Sequence, residues 1–261
     1  MKISRLGHAM YVLKSKNEKN YLIDPFFDLN PGFPKHLDNE DFYRSIDAVF
    51  LTHGHFDHTS GLSKMLDANP DVMVVAQYEL AMILLQQGVK NVFPLNFGGS
   101  VTLSDVKATM VQAIHTSSFK ETESTPIYAG EAAGYVFNLM DDYTVYFSGD
   151  TALTYDMKLI QEVYQPEVAI LSCSGQFTMG PEEAAYAVKH LLDVKYVIPC
   201  HTFPTKNTSP EPEVLNQLLT AFPIVENMMD KDQMLEDLLQ DYAYTKVVTI
   251  SYGEEVELRK S

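Results

Sequence analysis

Cysteine is scarce: Cys173 and Cys200 are the only two in 261 residues. That excludes a disulfide framework and leads us to expect a reducing compartment, the cytoplasm. Basic residues are also few, 19 Lys and Arg against 35 Asp and Glu, giving a formal net charge of −16. A surface this acidic repels phosphate backbones and opposes non-specific nucleic-acid binding. A small anionic substrate stays open, because bound metal can reverse the local potential. No apolar run is long enough to cross a bilayer. The opening MKISRLGHAMYVL lacks a long apolar stretch of signal-peptide type and reads as a strand. No linker, low-complexity tract or short repeat is visible.

What is present is core-forming material: 46% hydrophobic residues, with 15 Tyr and 14 Phe. This is enough for a large core and argues against global disorder. Short β-rich runs come first, at 2–6, 10–13 and 21–23, before Asp24-Pro25 breaks the pattern. The run IDAVFL at 46–51 predicts a buried strand ending at Thr52-His53. A helix over 62–66, a strand over 72–75 and a helix over 78–86, closed by Gly88, follow. The middle is β-rich, at 92–94, 101–103, 107–114, 135–139 and 144–147. Then come a helix (155–163), strand (168–171), helix (181–192), strand (196–198), helices near 211–221 and 231–240, and a hairpin-like end over 246–258. Two successive series, each ending in alternating β and α, predict two sheets packed face to face with helices outside. This is an α/β fold, a four-layer αββα sandwich made as one domain over 1–261.

The segment Thr52–Gly61 reads THGHFDHTSG and places His53, His55, Asp57 and His58 together. Imidazole and carboxylate are ligands suited to zinc-like metals. The spacing is not that of a zinc-protease helix, with ligands at i and i+4. Ligands two residues apart, directly after a strand, suit a turn folded around an ion at a strand's carboxyl end. His115, Asp150 and His201 each follow a predicted strand and fall at the same edge. A single strand-end histidine is more often structural; three such residues beside a four-ligand loop shift that balance.

The THGHFDH loop, the later His115, the Ser-Gly-Asp-Thr of 148–151 and the strand-end His201 resemble the metallo-β-lactamase superfamily signature, over almost the whole chain. Gly7-His8, LIDPFF at 22–27, GGS at 98–100, FTMGPEEAA at 177–185 and IPCH at 198–201 point to its poorly characterised metal-dependent hydrolase branch, akin to ascorbate-6-phosphate lactonase. The chain departs from the usual form at Cys200, where Met is common, and at Gly175-Gln176, where a polar pair is common. The resemblance implies that His53, His55 and His115 hold a first divalent metal. It implies that Asp57, His58 and His201 hold a second, and that Asp150 bridges both. Zinc leads, with manganese or iron as alternatives. The implied chemistry is a shared hydroxide attacking a small ester, lactone or phosphoester, with Asp57 and Asp150 as catalytic residues. The branch also implies self-association.

Several residues carry two readings. Asp24 either supports a ligand histidine or makes a turn before Pro25. His8 either enters the pocket or is structural. Thr116, Ser117 and Ser118 read first as strand-end caps. The 178–183 segment reads as a helix start, with an anion subsite as the alternative. Cys200 reads as core rather than a soft ligand. His36 and His190 read as structural or surface residues. The acidic stretch 230–241 reads as a solvated helix face. The competing functions are a nucleic-acid phosphodiesterase of the superfamily, opposed by the charge and the lack of a basic arm, and a non-catalytic metal-binding or sensing protein, opposed by the complete ligand set. A β-lactamase is opposed by Asp150, since those enzymes usually carry Cys or Ser there.

Overall fold

The computed structural model of the protein describes residues 1–120 and 125–260. Seven strands form a first sheet, in spatial order Glu255–Glu257, Lys2–Arg5, Tyr11–Lys14, Asn20–Ile23, Ala48–Phe50, Met73–Gln77 and Val92–Leu95. Its first three junctions are antiparallel and its last three parallel. A second sheet runs Lys246–Val247, Tyr196–Cys200, Val168–Ser172, Thr144–Phe147, Ala133–Leu139, Val106–Gln112 and Ser100–Leu103. Here the first three junctions are parallel and the last three antiparallel. The two sheets are thus built alike.

Strand alternation decides the layers. Ala48 and Phe50 face inward, while Val49 and Leu51 face out. Val168 and Ile170 likewise face inward, while Ala169 and Leu171 face out. The two inner faces meet in a core in which Phe50 lies edge-on to Tyr135 (5.4 Å) and Phe137 (4.9 Å), aromatics of the opposite sheet. Leu62 and Met65 of helix Leu62–Ala68, with Leu80 and Leu84 of helix Tyr78–Gln86, cover the outside of the first sheet. Met157, Ala184, Val188 and Leu235, from helices Asp156–Tyr164, Pro181–His190 and Lys231–Leu239, cover the second. The result is the expected αββα sandwich. Among the described residues no helix is long and apolar enough to cross a membrane.

Three local expectations are corrected. The end of the chain is not a hairpin: Lys246–Val247 pairs parallel with Tyr196–Cys200, and Glu255–Glu257 pairs antiparallel with Lys2–Arg5 in the other sheet. The turn at Ser251–Glu254 carries the chain between sheets. The strand before His115 ends at Gln112 rather than at residue 114, so His115 follows it after a short loop. The acidic helix is not wholly solvated, because Asp232 turns inward to bind the buried guanidinium of Arg5.

Candidate metal centre

The residues of interest leave strands that all run in one direction. Strand Lys2–Arg5 leads to His8, Asn20–Ile23 to Asp24, and Ala48–Phe50 to His53–His58. In the second sheet, Val106–Gln112 leads to His115, Thr144–Phe147 to Asp150, Val168–Ser172 to Ser174, and Tyr196–Cys200 to His201. Carboxyl ends of both sheets therefore open onto one rim, the place where α/β sheets gather ligands. The segment after His55 is a short helix, Phe56–Thr59, rather than an open turn; it projects Asp57 and His58 from successive positions. Gly149 lets Asp150 follow its strand closely: at φ +60°, a Cβ there would lie 2.3 Å from the Ala133 carbonyl oxygen.

Three overlapping groups of donor atoms result among the described residues: His53, His55 and His115; His8, Asp57, His58 and His201; and His53, His58 and Asp150, which joins the first two. Asp150 Oδ2 stands between the first two, 3.6 Å from His115 Nε2, 3.5 Å from His58 Nε2 and 2.8 Å from His201 Nε2. Asp57 Oδ2 lies 3.7 Å from His58 Nε2 and 3.9 Å from His201 Nε2. Bonds of about 2.0–2.2 Å to a tetrahedral ion separate its ligand atoms by about 3.3–3.6 Å. The other Asp150 and Asp57 spacings match that edge or exceed it slightly; Asp150 Oδ2 to His201 Nε2, at 2.8 Å, and His53 Nε2 to His55 Nδ1, at 2.9 Å, are closer.

The outer nitrogens are anchored. His58 Nδ1–H donates to Asp24 Oδ2 (2.8 Å), and Asp24 also accepts from the Thr52 amide (2.8 Å) and hydroxyl (2.7 Å). His53 Nδ1 donates to Thr52 Oγ1 (3.0 Å), and His201 Nδ1 donates to Ser174 Oγ (2.9 Å). Each bond fixes the proton on Nδ1 and turns an Nε2 lone pair into the site. Buried His58 Nε2 and Asp150 Oδ1 have no hydrogen-bond partner, and His201 Nε2 faces only Asp150 Oδ2. Buried polar atoms normally have one, so converging orphans of the right chemistry fit a cation.

The electrostatics agree for three of the histidines. Burial, then the charge of His58, pushes the His53 imidazole well below its ordinary range; burial also lowers His55 and His115. Neutral imidazole is the ligating form. Burial would raise Asp150, but His201 and His58 outweigh it and hold the carboxyl well below the usual range. His58 is raised despite burial, because Asp150, Asp24 and Asp57 surround it.

All seven residues singled out for metal binding are brought together here. Asp24 supports His58, the first of its two readings. Ser117 is used structurally, accepting from the Gly54 amide and donating to the Ala129 carbonyl. Thr178 contacts Ser174 (3.0 Å), while Glu183 accepts from the Gly180 amide as a helix cap. Cys200 is core, and His36 and His190 are exposed. Sequence reasoning missed Thr52 and Ser174. Each carries a short hydroxyl at the same strand-end rim, a signal too common to stand out.

Comparison with known proteins agrees with this geometry. The Beta-lactamase superfamily domain matches residues 19–202. A metal-dependent hydrolase of Rubrobacter xylanophilus is 39% identical over 217 residues, covering 80% of this chain and 86% of its own. One from Roseiflexus castenholzii is 35% identical over 232 residues, covering 87% and 93%. The chain belongs to the UPF0173 metal-dependent hydrolases of the beta-lactamase superfamily. It is therefore a metal-dependent hydrolase. The fold is shared with the metallo hydrolase Igni18 of Ignicoccus hospitalis, at TM-score 0.77 and 24% identity over 100% of this chain and 99% of that one. It is also shared with an isothiocyanate hydrolase from Delia radicum gut bacteria, at TM-score 0.71 and 20% identity over 99% of each chain.

Proposed function

We propose that this UPF0173 protein is a dinuclear hydrolase whose substrate is a small carboxylic ester or lactone, with a phosphoester as the less favoured case. The observation that carries the reading is the position of Asp150 Oδ2 within 3.6 Å of ligand nitrogens from the first two groups. His53, His55 and His115 would hold one divalent ion, Asp57, His58 and His201 the other, with Asp150 shared; zinc leads among the metals, before manganese and iron. Such ions supply Lewis acidity towards a substrate oxygen and lower the pKa of water. The chain's own part is to orient the donors through Thr52, Asp24 and Ser174. Asp57, partly open to solvent, would orient the nucleophile or help move a proton to the leaving group.

The preference for a carbonyl substrate rests on charge. All three arginines are committed to carboxylates: Arg5 to Asp232, Arg44 to Glu40 and Arg259 to Glu257. The bidentate fork best suited to phosphate is thus already used. Phe56, between two of the candidate ligands, is 46% exposed and stacks on Phe222. With Leu62, Leu66 and Phe119, and with Asp67, Lys90 and Lys120 among its polar residues, it helps line a 560 Å³ cavity of mixed character that would receive the rest of a substrate. The cysteines are buried, free and in different apolar clusters, which fits the cytoplasm.

The test is elemental analysis of the protein purified without added metal or chelator, beside His55→Ala, followed by a panel of lactones, esters and phosphodiesters. Two equivalents per chain, reduced in the variant, with turnover of a lactone or ester, are expected. One equivalent after reloading would overturn the dinuclear reading. Turnover confined to phosphodiesters would overturn the substrate class.

A further inference from the structure

His8 sits in the hairpin between Lys2–Arg5 and Tyr11–Lys14, closed by the Leu6 amide on the Met10 carbonyl (2.9 Å) and the Met10 amide on the Gly7 carbonyl (2.9 Å). Gly7 (φ +98°) and His8 (φ +51°) both take the left-handed region. Positive φ is uncommon among non-glycine residues, and histidine is one of the few that tolerate it.

The histidine is fully buried and touches the candidate metal centre twice. Its Nε2 lies 3.1 Å from Asp57 Oδ2, the same oxygen that faces His58 and His201. Its carbonyl accepts from the His201 amide (3.1 Å), and its ring packs on His201 (3.9 Å) and Phe203 (4.2 Å). Nδ1 has no partner. An unpaired lone pair on Nδ1 costs less than an unpaired N–H, so Nε2 carries the proton and donates to Asp57.

We propose that His8 is a positioning residue of the second metal site: its ring fixes the Asp57 carboxylate and its carbonyl fixes the backbone of His201. This rests on the dinuclear reading, but makes a separate claim. A carboxylate on a four-residue helix has freedom to rotate away; one held by a histidine from another turn of the same sheet is presented in a single orientation.

The experiment is cobalt(II) titration of the metal-free full chain, read by its visible d–d bands and by chelator competition, for wild type, His8→Ala, His8→Asn and His8→Gln. In His8→Ala, second-ion affinity is expected to fall about 10–100-fold, the usual cost of losing a residue that supports a ligand. First-ion affinity should hold. Gln places an amide N–H near the Nε2 position and should restore most of the loss; Asn, which tolerates positive φ but is too short, should not. Asn carries the test if Ala fails to fold. Second-ion affinity and bands like wild type in both Ala and Asn would overturn the inference and leave the dinuclear reading intact. A wild-type chain that binds one ion would overturn the dinuclear reading. The His8 claim would then stand or fall on whether His8→Ala weakens that single ion.

Discussion

Replacing Asp24 by asparagine changes one atom of a fully buried carboxylate and should change the proton position on a candidate metal ligand. Asp24 accepts three hydrogen bonds, from the Thr52 amide, the Thr52 hydroxyl and His58 Nδ1–H. An asparagine keeps one oxygen, which the amide of Thr52 would claim. Its NH₂ then faces the Thr52 hydroxyl and His58 Nδ1. To accept from it, His58 must shift its proton to Nε2, the atom aimed at the candidate metal centre. Metal affinity should fall about 10–100-fold, or about 1.4–2.7 kcal/mol. Asp24→Ala should behave differently. It leaves the Thr52 amide and His58 Nδ1–H without a buried acceptor, at about 1–3 kcal/mol each. The alanine variant should therefore unfold earlier without metal, while the asparagine variant folds better yet binds metal no better. Chelator competition and thermal unfolding of metal-free protein measure the two effects. Wild-type metal affinity in Asp24→Asn would refute the tautomer reasoning.

Other predictions test separate links. Asp150→Ala should bring activity to background and metal content below one equivalent while the circular dichroism spectrum stays folded; full activity with two ions would contradict its bridging position. Arg5→Met should cost about 1–3 kcal/mol in denaturant unfolding, because it removes the buried guanidinium's bonds to Asp232 and the Ile250 carbonyl and leaves the latter without that donor. Native protein should resist thiol reagents at pH 8 and release two reactive thiols on denaturation, since burial pushes Cys173 up to about 12 and Cys200 well above its ordinary value. Glu167 titrates low: burial pushes it up, but hydrogen bonds and charge from Lys260 and Lys195 outweigh that. Its folded pKa lies below the unfolded one, so its contribution is complete above about pH 4.5 and is lost as pH falls through the folded value. Glu167→Gln should flatten that acid limb of a melting-temperature profile; an unchanged limb would count against it.

The candidate ligands were legible because each stands beside a strand whose apolar run marks its end: IDAVFL before Thr52-His53, TVYF before Ser148–Asp150, YVIP before Cys200-His201. Periodicity is a local signal, and it located these edges to within a few residues. His115 was less well placed because apolar Ala113 and Ile114 extend the pattern beyond the last ladder pair. The crossing at 248–254 was invisible for another reason. Two short apolar runs separated by a turn look alike whether they pair with each other or with strands far away. The inward turn of Asp232 and the role of His8 depend on partners 227 and 49 residues distant, which no window reveals.

The crossing also has a kinetic consequence. Strand Lys2–Arg5 has its outer neighbour some 250 residues downstream, at Glu255–Glu257. Until that segment arrives, the first sheet presents an unpaired backbone edge beside a large apolar face, the arrangement that invites association between chains. Closing so long a loop is slow compared with local pairing. A nascent or partly unfolded chain should thus aggregate through its own beginning, and the few residues that seal this edge would act as the latch on the completed fold.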